Sequence, residues 1–372
     1  MAKARYIMVG GFLGSGKSTS VSRLARHFTN QGLRVGLITN DQGEGLVDTA
    51  FLQSHGFPVE EIAGGCFCCR FNSLVEAASS LSKHSRPDVF IAEPVGSCTD
   101  LVASVSYPLR RIYGHDFTIA PLSVLVDPLR ALRILGLEPG RAFSEKVAYV
   151  YRKQLEEADL IVINKCDLLE AGRLERLRSA LAAGFPTAEV LVCSARYGTG
   201  LDDWFGRITA HELGNDEAMD LDYDLYAEGE SLLGWLNCTV EVRAVQPFDG
   251  DALLMRIAQT IQRHMQAGEA EIAHLKMTLS PDDESGELAV INLVRNDYIP
   301  ELSQSLLDPL QTGQLILNLR AESSPDQLYA ATDSALRACS DGNMTLQIEH
   351  MEHFRPGRPV PTYRIAKIGV DV

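Results

Sequence analysis

The stretch Gly10-Gly11-Phe12-Leu13-Gly14-Ser15-Gly16-Lys17-Ser18-Thr19 decides the fold. It follows the apolar run Tyr6-Ile7-Met8-Val9 and precedes a helical pattern that starts near Thr19. The segment matches G-x-x-x-x-G-K-[ST], in which glycines let backbone N–H groups at a helix N-terminus surround a polyphosphate. We expect Lys17 to reach the β- and γ-phosphates and Ser18 to bind Mg²⁺. The predicted phosphate-binding residues are Gly11, Gly14, Ser15, Gly16, Lys17, Ser18 and Thr19. A glycine-rich turn without a ligand is the alternative.

Downstream of this loop, short apolar runs alternate with helical patterns, which is typical of a parallel sheet with crossover helices. Strands are predicted at 5–10, 35–40, 59–62, 89–93, 122–127, 160–164 and 189–193, and helices at 18–30, 72–83, 99–113, 142–158, 171–183 and 201–210. We therefore expect a doubly wound, mostly parallel α/β P-loop NTPase domain over 1–210, with ligands at the carboxyl ends of the strands.

The remaining chain has a different character. Residues 211–230 carry eight carboxylates in twenty positions without apolar periodicity, which favours an acidic linker over a partner-binding segment. Residues 231–372 predict a smaller α+β domain with helices on one antiparallel sheet. Its proline-rich end, 354–361, is expected to be extended and to dock on its own domain or on a partner.

Composition limits the possible partners and location. The chain has 372 residues and a net charge of −15, which argues against nucleic acid held by a general basic surface. It has neither a signal-peptide pattern nor an apolar run of transmembrane length, so we expect a cytoplasmic protein without a membrane partner. Eight cysteines in a chain of this length do not suggest a secreted disulfide framework.

Three of the cysteines lie together in Gly64-Gly65-Cys66-Phe67-Cys68-Cys69. Thiols this close in sequence form disulfides with each other poorly, whereas a flexible loop can bring three thiolates to one soft cation. We predict a metal site at Cys66, Cys68 and Cys69, with Zn²⁺ the first candidate and Co²⁺ the second. A redox role for the thiols and ordinary packing are the alternatives.

Carboxylates follow two other strands. Asn40-Asp41-Gln42-Gly43-Glu44 comes after the second strand, and Glu93-Pro94-Val95-Gly96 after the fourth. We expect Ser18, Asp41, Glu44 and Glu93 to surround Mg²⁺, and Gly96 to offer its N–H to the γ-phosphate. Lys17, Glu93 and Asp41 are the predicted catalytic residues. An acidic surface turn is the alternative for the first of these loops.

The sixth strand runs into Asn164-Lys165-Cys166-Asp167, which matches N-K-x-D. Guanine offers two adjacent N–H donors that one aspartate can accept, and adenine does not. We therefore expect Asp167 to bind guanine, Lys165 to pack along the base, and Asn164 to tie the loop to the phosphate loop. Ser194 and Ala195 would close the base pocket. A helix N-cap is the alternative role for Asp167.

Over about residues 5–210 these motifs, together with Asp127, resemble the CobW-type GTPases of the metallochaperone group that includes HypB and UreG, in the branch with a C-x-C-C motif. The resemblance implies Mg²⁺–GTP binding, slow hydrolysis to GDP and phosphate, and transfer of the ion held by the cysteines. Two departures weaken the match. Asp41 stands where the family usually has glutamate, and Val95 stands where threonine is common. The C-terminal domain also lacks the family's arginine-proline-phenylalanine hallmark.

The resulting hypothesis is a GTP-hydrolysing metallochaperone that delivers Zn²⁺ or Co²⁺ to a client protein or cofactor under nucleotide control. One alternative is a GTPase chaperone for a cobalamin or corrinoid enzyme, with a structural zinc site. Another is a P-loop kinase for a small molecule, which the N-K-x-D motif disfavours. The identity of the client and a homodimeric assembly are left open.

Overall fold

The computed structural model describes residues 3–41, 47–213, 217–283 and 286–367. They divide into two compact units. The first draws its described residues from 1–42, 56–229 and 358–372, and the second from 43–55 and 230–357.

The first unit is built on a parallel sheet, in the strand order β3-β2-β4-β1-β6-β7-β8, with β5 also pairing with β1. The strands are β1 (Ala4–Gly11), β2 (Val35–Asn40), β3 (Val59–Ile62), β4 (Val89–Glu93), β5 (Phe117–Ile119), β6 (Ser123–Val126), β7 (Leu160–Ile163) and β8 (Glu189–Val192). The central strands are apolar and fully buried, as expected when helices cover both faces of a sheet. The predicted α/β class is confirmed.

Helices connect these strands. They are α1 (Lys17–Asn30), α3 (Phe71–His84), α4 (Tyr107–Tyr113), α5 (Pro128–Ile134), α6 (Glu145–Glu156), α7 (Ala171–Gly184), α8 (Leu201–Ala210) and α9 (Tyr223–Ser231). A π-helical turn at Val102–Ser106 precedes α4, and the last two residues of α9 belong to the second unit. Helix α2 (Val47–Ser54) belongs entirely to the second unit. Helix α1 buries Val21, Leu24, Ala25 and Phe28, a spacing of three and four residues that gives one apolar stripe. Within the described ranges, none of the helices combines the length and apolarity that a membrane crossing requires.

The sheet order reverses at β1, which lies between β4 and β6. The carboxyl ends of parallel strands on the two sides of such a reversal border one crevice. Gly11, Asn40 and Glu93 end β1, β2 and β4 there, and Asn164 follows β7. The fold therefore brings the predicted motifs to one edge.

The second unit contains an antiparallel sheet in the order β12-β11-β10-β13-β9-β14. Its strands are β9 (Leu233–Phe248), β10 (Glu271–Pro281), β11 (Ala289–Leu293), β12 (Glu301–Gln304), β13 (Leu310–Glu322) and β14 (Met344–Phe354), and its long helices are α10 (Gly250–Ala267) and α11 (Pro325–Cys339). Helix α10 buries Leu254, Ile257 and Ile261 in a core shared with Leu317 of β13 and Leu336 of α11. The predicted α+β class of this part is also confirmed.

The compact units differ from the predicted domain boundaries at both ends of the second domain. Residues 223–230 of the segment predicted as a linker lie in α9, which buries Tyr226, whose hydroxyl accepts a hydrogen bond from the Thr99 N–H at 3.3 Å. The segment 358–367 belongs to the first unit rather than the second. Both differences arise from contacts between residues distant in sequence, which local composition does not reveal.

Candidate nucleotide and metal site

The loop between β1 and α1 has the backbone of a phosphate-binding loop. Gly11, Gly14 and Gly16 have φ values of 129°, 78° and 92°, a region that disfavours side chains. A Cβ at Gly11 would lie 2.4 Å from the Leu125 carbonyl oxygen, and one at Gly16 would lie 2.4 Å from Asn164 Nδ2. Glycine at positions 11 and 16 therefore lets the loop pack against β6 and against the loop after β7.

Three polar side chains meet at the start of α1. Lys17 Nζ donates to the Gly11 carbonyl at 3.0 Å, and Ser18 Oγ donates to Glu93 Oε1 at 3.1 Å. All three side chains are buried. The structure therefore brings together the residues predicted to contact the phosphates and Mg²⁺ from the first and fourth strands.

The chemistry of this loop fits a magnesium-bound polyphosphate. The N-terminus of α1 has no side-chain cap within the described residues, and a helix N-terminus is a favourable place for a phosphate. The Ser15 hydroxyl is buried and has no hydrogen-bond partner in the described part of the chain. A buried cation, a hydroxyl and a carboxylate stand beside these donors, which is the donor set that a phosphate and its magnesium ion require.

The loop after β7 is tied to the phosphate loop. Asn164 Nδ2 donates to the Ser15 carbonyl at 2.9 Å, and Asn164 Oδ1 accepts from the Ala195 N–H at 2.9 Å. Ser194 Oγ donates to Asp167 Oδ1 at 2.6 Å, and Asp167 is exposed. The five residues predicted for base binding, which include Lys165, therefore lie in one connected group.

Lys165 joins this group to β6 through Asp127, the N-cap of α5. Its Nζ donates to the Gly14 carbonyl at 2.6 Å and to Asp127 Oδ2 at 2.9 Å. Burial alone would raise the pKa of Asp127, but the positive charges of Lys165 and Arg130 outweigh burial and hold this pKa below its ordinary value. Asp127 therefore remains charged and holds the ammonium group of Lys165.

The loop after Glu93 packs closely against the phosphate loop. A Cβ at Gly96 would lie 2.8 Å from Leu13 Cδ2 and 3.0 Å from the Leu13 backbone nitrogen. The Gly96 carbonyl accepts from Gln154 Nε2 of α6 at 3.0 Å. A larger residue at position 96 would displace one of the two loops.

The three clustered cysteines meet in a turn between β3 and α3. Their sulfur atoms all lie within 4.8 Å of one another, with Cys66 and Cys69 sulfurs 3.2 Å apart and Cys68 and Cys69 sulfurs 3.6 Å apart. The turn is closed by N–H groups of Cys69 and Arg70, which donate to the Cys66 carbonyl. Gly64 and Gly65 precede it with φ of 73° and 151°. Among the described residues this is the group that could hold a metal ion.

The thiols share their protons unequally. Hydrogen bonds with the thiols of Cys68, Cys69 and Cys98 hold the pKa of Cys66 well below its ordinary value. The hydrogen bond with Cys66 raises the pKa of Cys68 well above its ordinary value and that of Cys69 to about 11, and burial adds to both shifts. A bound cation would displace the protons that the thiols retain, because the thiolate and not the thiol is the metal ligand.

Asn40 connects the end of β2 with the cysteine loop. Its Nδ2 donates to the Ile62 carbonyl at 2.9 Å and to the Gly65 carbonyl at 2.6 Å. The sequence places Asn40 beside the predicted Mg²⁺ ligands but does not indicate this contact. An asparagine between a buried strand and a glycine-rich loop is compatible with several partners, so only the fold identifies it.

The tail, residues 358–367, lies against the cysteine turn. The Val360 N–H donates to Cys69 Sγ at 3.3 Å, the Thr362 N–H donates to the Cys68 carbonyl at 2.8 Å, and Thr362 Oγ1 donates to the Cys69 carbonyl at 3.0 Å. Arg364 forms an ion pair with the buried Asp100 at 2.9 Å. Sequence patterning indicated an extended tail but not its position on the cysteines.

The contacts above do not test the roles of three other predicted residues. Asp41 follows β2 and donates its backbone N–H to the Ile62 carbonyl at 3.2 Å. Thr19 is exposed in the first turn of α1. Glu44 lies outside the described residues. Their predicted roles toward the nucleotide and Mg²⁺ remain predictions.

Residues 5–192 match the family model for the CobW/HypB/UreG nucleotide-binding domain. The chain is 32% identical over 163 residues to the zinc chaperone YeiR of Escherichia coli (strain K12), covering 43% of this chain and 46% of that protein. It is 28% identical over 198 residues to the zinc chaperone CobW of Sinorhizobium sp, covering 47% and 54%. The alignments therefore span about half the length of these relatives.

The solved structure of hydrogenase maturation factor HypB from Archaeoglobus fulgidus aligns with 20% identity over 56% of this chain and 89% of that chain, with a TM-score of 0.39. The family model spans half of the present chain and contains the phosphate loop, the cysteine turn and the loop after β7. The protein therefore belongs to the CobW/HypB/UreG family, with its nucleotide-binding domain over residues 5–192.

Proposed function

We propose that this protein is a GTP-binding and GTP-hydrolysing metallochaperone, which holds Zn²⁺ or Co²⁺ at Cys66, Cys68 and Cys69 and delivers it to a client protein or cofactor under nucleotide control. The observation that carries the proposal is the pair of hydrogen bonds from Asn40 to the carbonyls of Ile62 and Gly65. Asn40 ends the strand that leads to the predicted nucleotide-sensing loop, and Gly65 precedes the first cysteine. One side chain would therefore connect the two proposed sites.

The nucleotide part of the proposal assigns roles to the residues at the sheet edge. The phosphate loop would hold the polyphosphate, Lys17 would contact its terminal oxygens, and Ser18 and Glu93 would hold Mg²⁺ with Asp41 and Glu44. When bound, Mg²⁺ neutralises charge on the phosphate oxygens. Asp167 would select guanine, while Asn164, Lys165, Ser194 and Ala195 hold the base loop in place. Gly96 keeps the loop after β4 close to the phosphate loop.

The proposed control of metal binding by the nucleotide follows from these contacts. Ordering of the loop after β2 by the terminal phosphate would fix Asn40 and, through Gly65, the cysteine turn. Loss of that phosphate would release this constraint and lower the affinity of the cysteines for metal. Because coupling between two sites is reciprocal, metal at the cysteines must also change nucleotide affinity.

The names of the two zinc chaperone relatives support Zn²⁺ as the first candidate. The thiols, of which Cys66 and Cys68 are buried and Cys69 is half-buried, agree with a soft or borderline ion, and Co²⁺ is the second candidate. We also propose a cytoplasmic location, because a cluster of free thiols is typical of a reducing compartment. The partners would be a guanine nucleotide and a client metalloprotein.

The test is a competition titration of Zn²⁺ and Co²⁺ into metal-free protein with Mg²⁺ present, without nucleotide, with GDP, and with a non-hydrolysable GTP analogue. We expect the analogue to raise metal affinity at least tenfold over GDP, which is about 1.4 kcal/mol of coupling. Cys68→Ala should lose metal binding. Asn40→Ala keeps every sulfur atom and should bind metal with a nucleotide effect well below tenfold.

Arg70→Ala is the matched control for Asn40→Ala. The Arg70 guanidinium also binds a carbonyl of this loop, that of Gly64, at 3.1 Å, but Arg70 is not on the strand that leads to the nucleotide. It should keep the nucleotide effect. Equal metal affinity in all three nucleotide states would overturn nucleotide control. The alternative, a GTPase chaperone for a cobalamin or corrinoid enzyme with a structural zinc site, would then be favoured.

A further inference from the structure

The tail lies on the least buried of the three clustered cysteines. Cys66 and Cys68 are 5% and 2% exposed, whereas Cys69 is half-buried. The Val360 N–H donates to Cys69 Sγ at 3.3 Å, and Thr362 Oγ1 donates to the Cys69 carbonyl at 3.0 Å. A ligand that comes from solvent would reach an ion in this turn beside Cys69, and the tail lies at that approach.

Two further contacts anchor the tail beyond the cysteines. Arg364 Nε and Nη2 donate to the two carboxylate oxygens of Asp100 at 2.9 Å and 3.3 Å, and the Asp100 side chain is 1% exposed. The Tyr363 ring meets the Phe71 ring edge-on, with the ring centroids 5.2 Å apart. The tail is therefore bound to the first unit in a defined position.

The nature of these contacts favours local opening of the tail. Within residues 358–367 only Pro359 is buried, and Val360 and Tyr363 are 68% and 41% exposed. The tail contacts the cysteine turn through hydrogen bonds. Segments with few buried apolar side chains and exposed hydrogen bonds open at a lower free energy than the core. The tail can therefore leave the turn while the sheet and its helices stay folded.

The buried end of the anchor has a second donor. Tyr223 Oη donates to Asp100 Oδ2 at 2.6 Å. An isolated buried charge is costly, whereas a buried charge that keeps a hydrogen bond is less so. Detachment of Arg364 therefore leaves the Asp100 carboxylate with a hydrogen-bond donor.

We propose that the tail is a removable cover of the metal site, which the acceptor of the ion must displace to reach Cys69. This inference rests on the metal site of the proposed function and adds the step that limits the rate of transfer. In that step a thiolate of the acceptor binds the ion while the bond between the ion and Cys69 breaks, and no electron is transferred.

The first test measures access to the thiols of metal-free protein with a small and a bulky maleimide, followed by mass spectrometry of peptides. The ratio of the two rates at one thiol cancels its fraction of thiolate, because both reagents attack the thiolate. Cys166, a half-buried cysteine of the loop after β7, is the reference in the same molecule. We expect the bulky reagent to be disfavoured at Cys69 at least about tenfold more than at Cys166, since its attack requires local opening. Equal ratios at the two cysteines would overturn the inference.

Arg364→Ala removes the buried anchor and should raise the bulky-to-small ratio at Cys69 at least about threefold, because the tail then opens more often. The ratio at Cys166 should stay the same. Arg358→Ala is the matched control, because it removes the same charge from the tail but breaks only an exposed ion pair with Asp224, which contributes little. An unchanged ratio at Cys69 in Arg364→Ala would contradict the cover. The wild-type ratios decide the question if this variant does not fold.

The second test follows transfer of Zn²⁺ from the loaded full-length protein to an excess of chelator. Arg364→Ala should accelerate transfer at least about tenfold, since opening limits the rate, whereas Arg358→Ala should not. The equilibrium affinity for Zn²⁺ should stay nearly constant, because a cover slows uptake and release alike. Faster transfer with an equal loss of affinity would overturn the inference and make the tail a part of the binding site.

The two proposals fail in different ways. A wild-type protein that binds Zn²⁺, together with an unchanged transfer rate in Arg364→Ala, would overturn the cover and leave the proposed function intact. Failure of the wild-type protein to bind metal in any nucleotide state would overturn both.

Discussion

Asp167 lies on the exposed rim of the loop after β7, while its neighbours Asn164 and Lys165 are bound to the phosphate loop. One carboxylate oxygen accepts from Ser194 Oγ at 2.6 Å. In the proposed complex the carboxylate accepts both N–H donors of guanine. This residue alone would therefore determine the choice of base, and the rest of the loop would position it.

Asp167→Asn should change the preferred base from guanine to xanthine. An amide accepts from N1–H through its oxygen but presents N–H to the exocyclic amino group of guanine, so GTP affinity should fall at least about tenfold, the loss of a charged hydrogen bond. Xanthosine triphosphate has an oxygen at that position and should bind the variant better than GTP does. Competition against a fluorescent nucleotide measures both. Asp203→Asn, an exposed aspartate in the first turn of α8, is the control. Unaltered GTP affinity in Asp167→Asn would refute guanine recognition by this residue.

At the scale of elements, α6 supports the loop that follows β4. Besides Gln154, the buried Glu157 at its end accepts from Thr99 Oγ1 at 3.0 Å and from the Val102 N–H at 3.2 Å. Burial, together with the neighbouring carboxylate of Asp100, raises the pKa of Glu157 to about 8. Asp100 itself has a raised pKa because burial outweighs its bonds to Tyr223 and Arg364.

A raised carboxyl pKa makes this element sensitive to pH. Between the unfolded pKa of Glu157 near 4.5 and the folded value near 8, the folded state retains a proton that the unfolded state has lost, so stability falls as pH rises. Glu157→Gln removes this titration and keeps both hydrogen bonds. The amide oxygen can accept from the Val102 N–H, and the amide nitrogen can donate to the Thr99 hydroxyl, which then accepts instead of donating. The stability of this variant relative to wild type should rise between pH 5 and pH 8 by on the order of 3 kcal/mol.

Urea unfolding of metal-free protein at several pH values measures this difference. Glu156→Gln, which removes the carboxyl of the preceding, exposed residue, is the control for loss of a carboxyl at this end of α6. A difference between Glu157→Gln and wild type that does not change with pH would show that the Glu157 carboxyl titrates alike in the folded and unfolded states.

Elements defined by local patterns could be predicted from the sequence. The β1–loop–α1 unit carries its own strand, glycines and helix, and the order of motifs at strand ends fixes the sheet edge. The tail could not be placed, because its partners Cys68, Cys69 and Asp100 lie more than 250 residues earlier. Short elements such as β5 and α2 contain too few residues for their hydrophobic periodicity to be recognised in the sequence.

At the scale of the whole molecule, the chain enters the second unit twice, first through α2 and then through residues 230–357. Helix α2 lies between β2 and β3 in sequence, yet it packs in the unit of the antiparallel sheet. The Val47 N–H donates to Asn318 Oδ1 of β13 at 3.0 Å, and Asp48 forms an ion pair with Lys276 of β10. Val47 and Leu52 are buried. Helix α2, which follows the predicted nucleotide-sensing loop in sequence, is therefore part of the second unit.

Asn318→Ala should release α2 locally. Asn318 is buried, and its loss leaves the first N–H of an eight-residue helix without its acceptor, at a cost of about 1–3 kcal/mol. Amide hydrogen exchange should therefore accelerate across Val47–Ser54 by one to two orders of magnitude, because about 1.4 kcal/mol corresponds to a factor of ten. Asn292→Ala, a less buried asparagine of β11 in the same sheet, should leave exchange in α2 unchanged. Equal acceleration throughout β10 and β13 in Asn318→Ala would instead mean that this side chain stabilises the whole sheet, and that α2 opens only when the second unit unfolds.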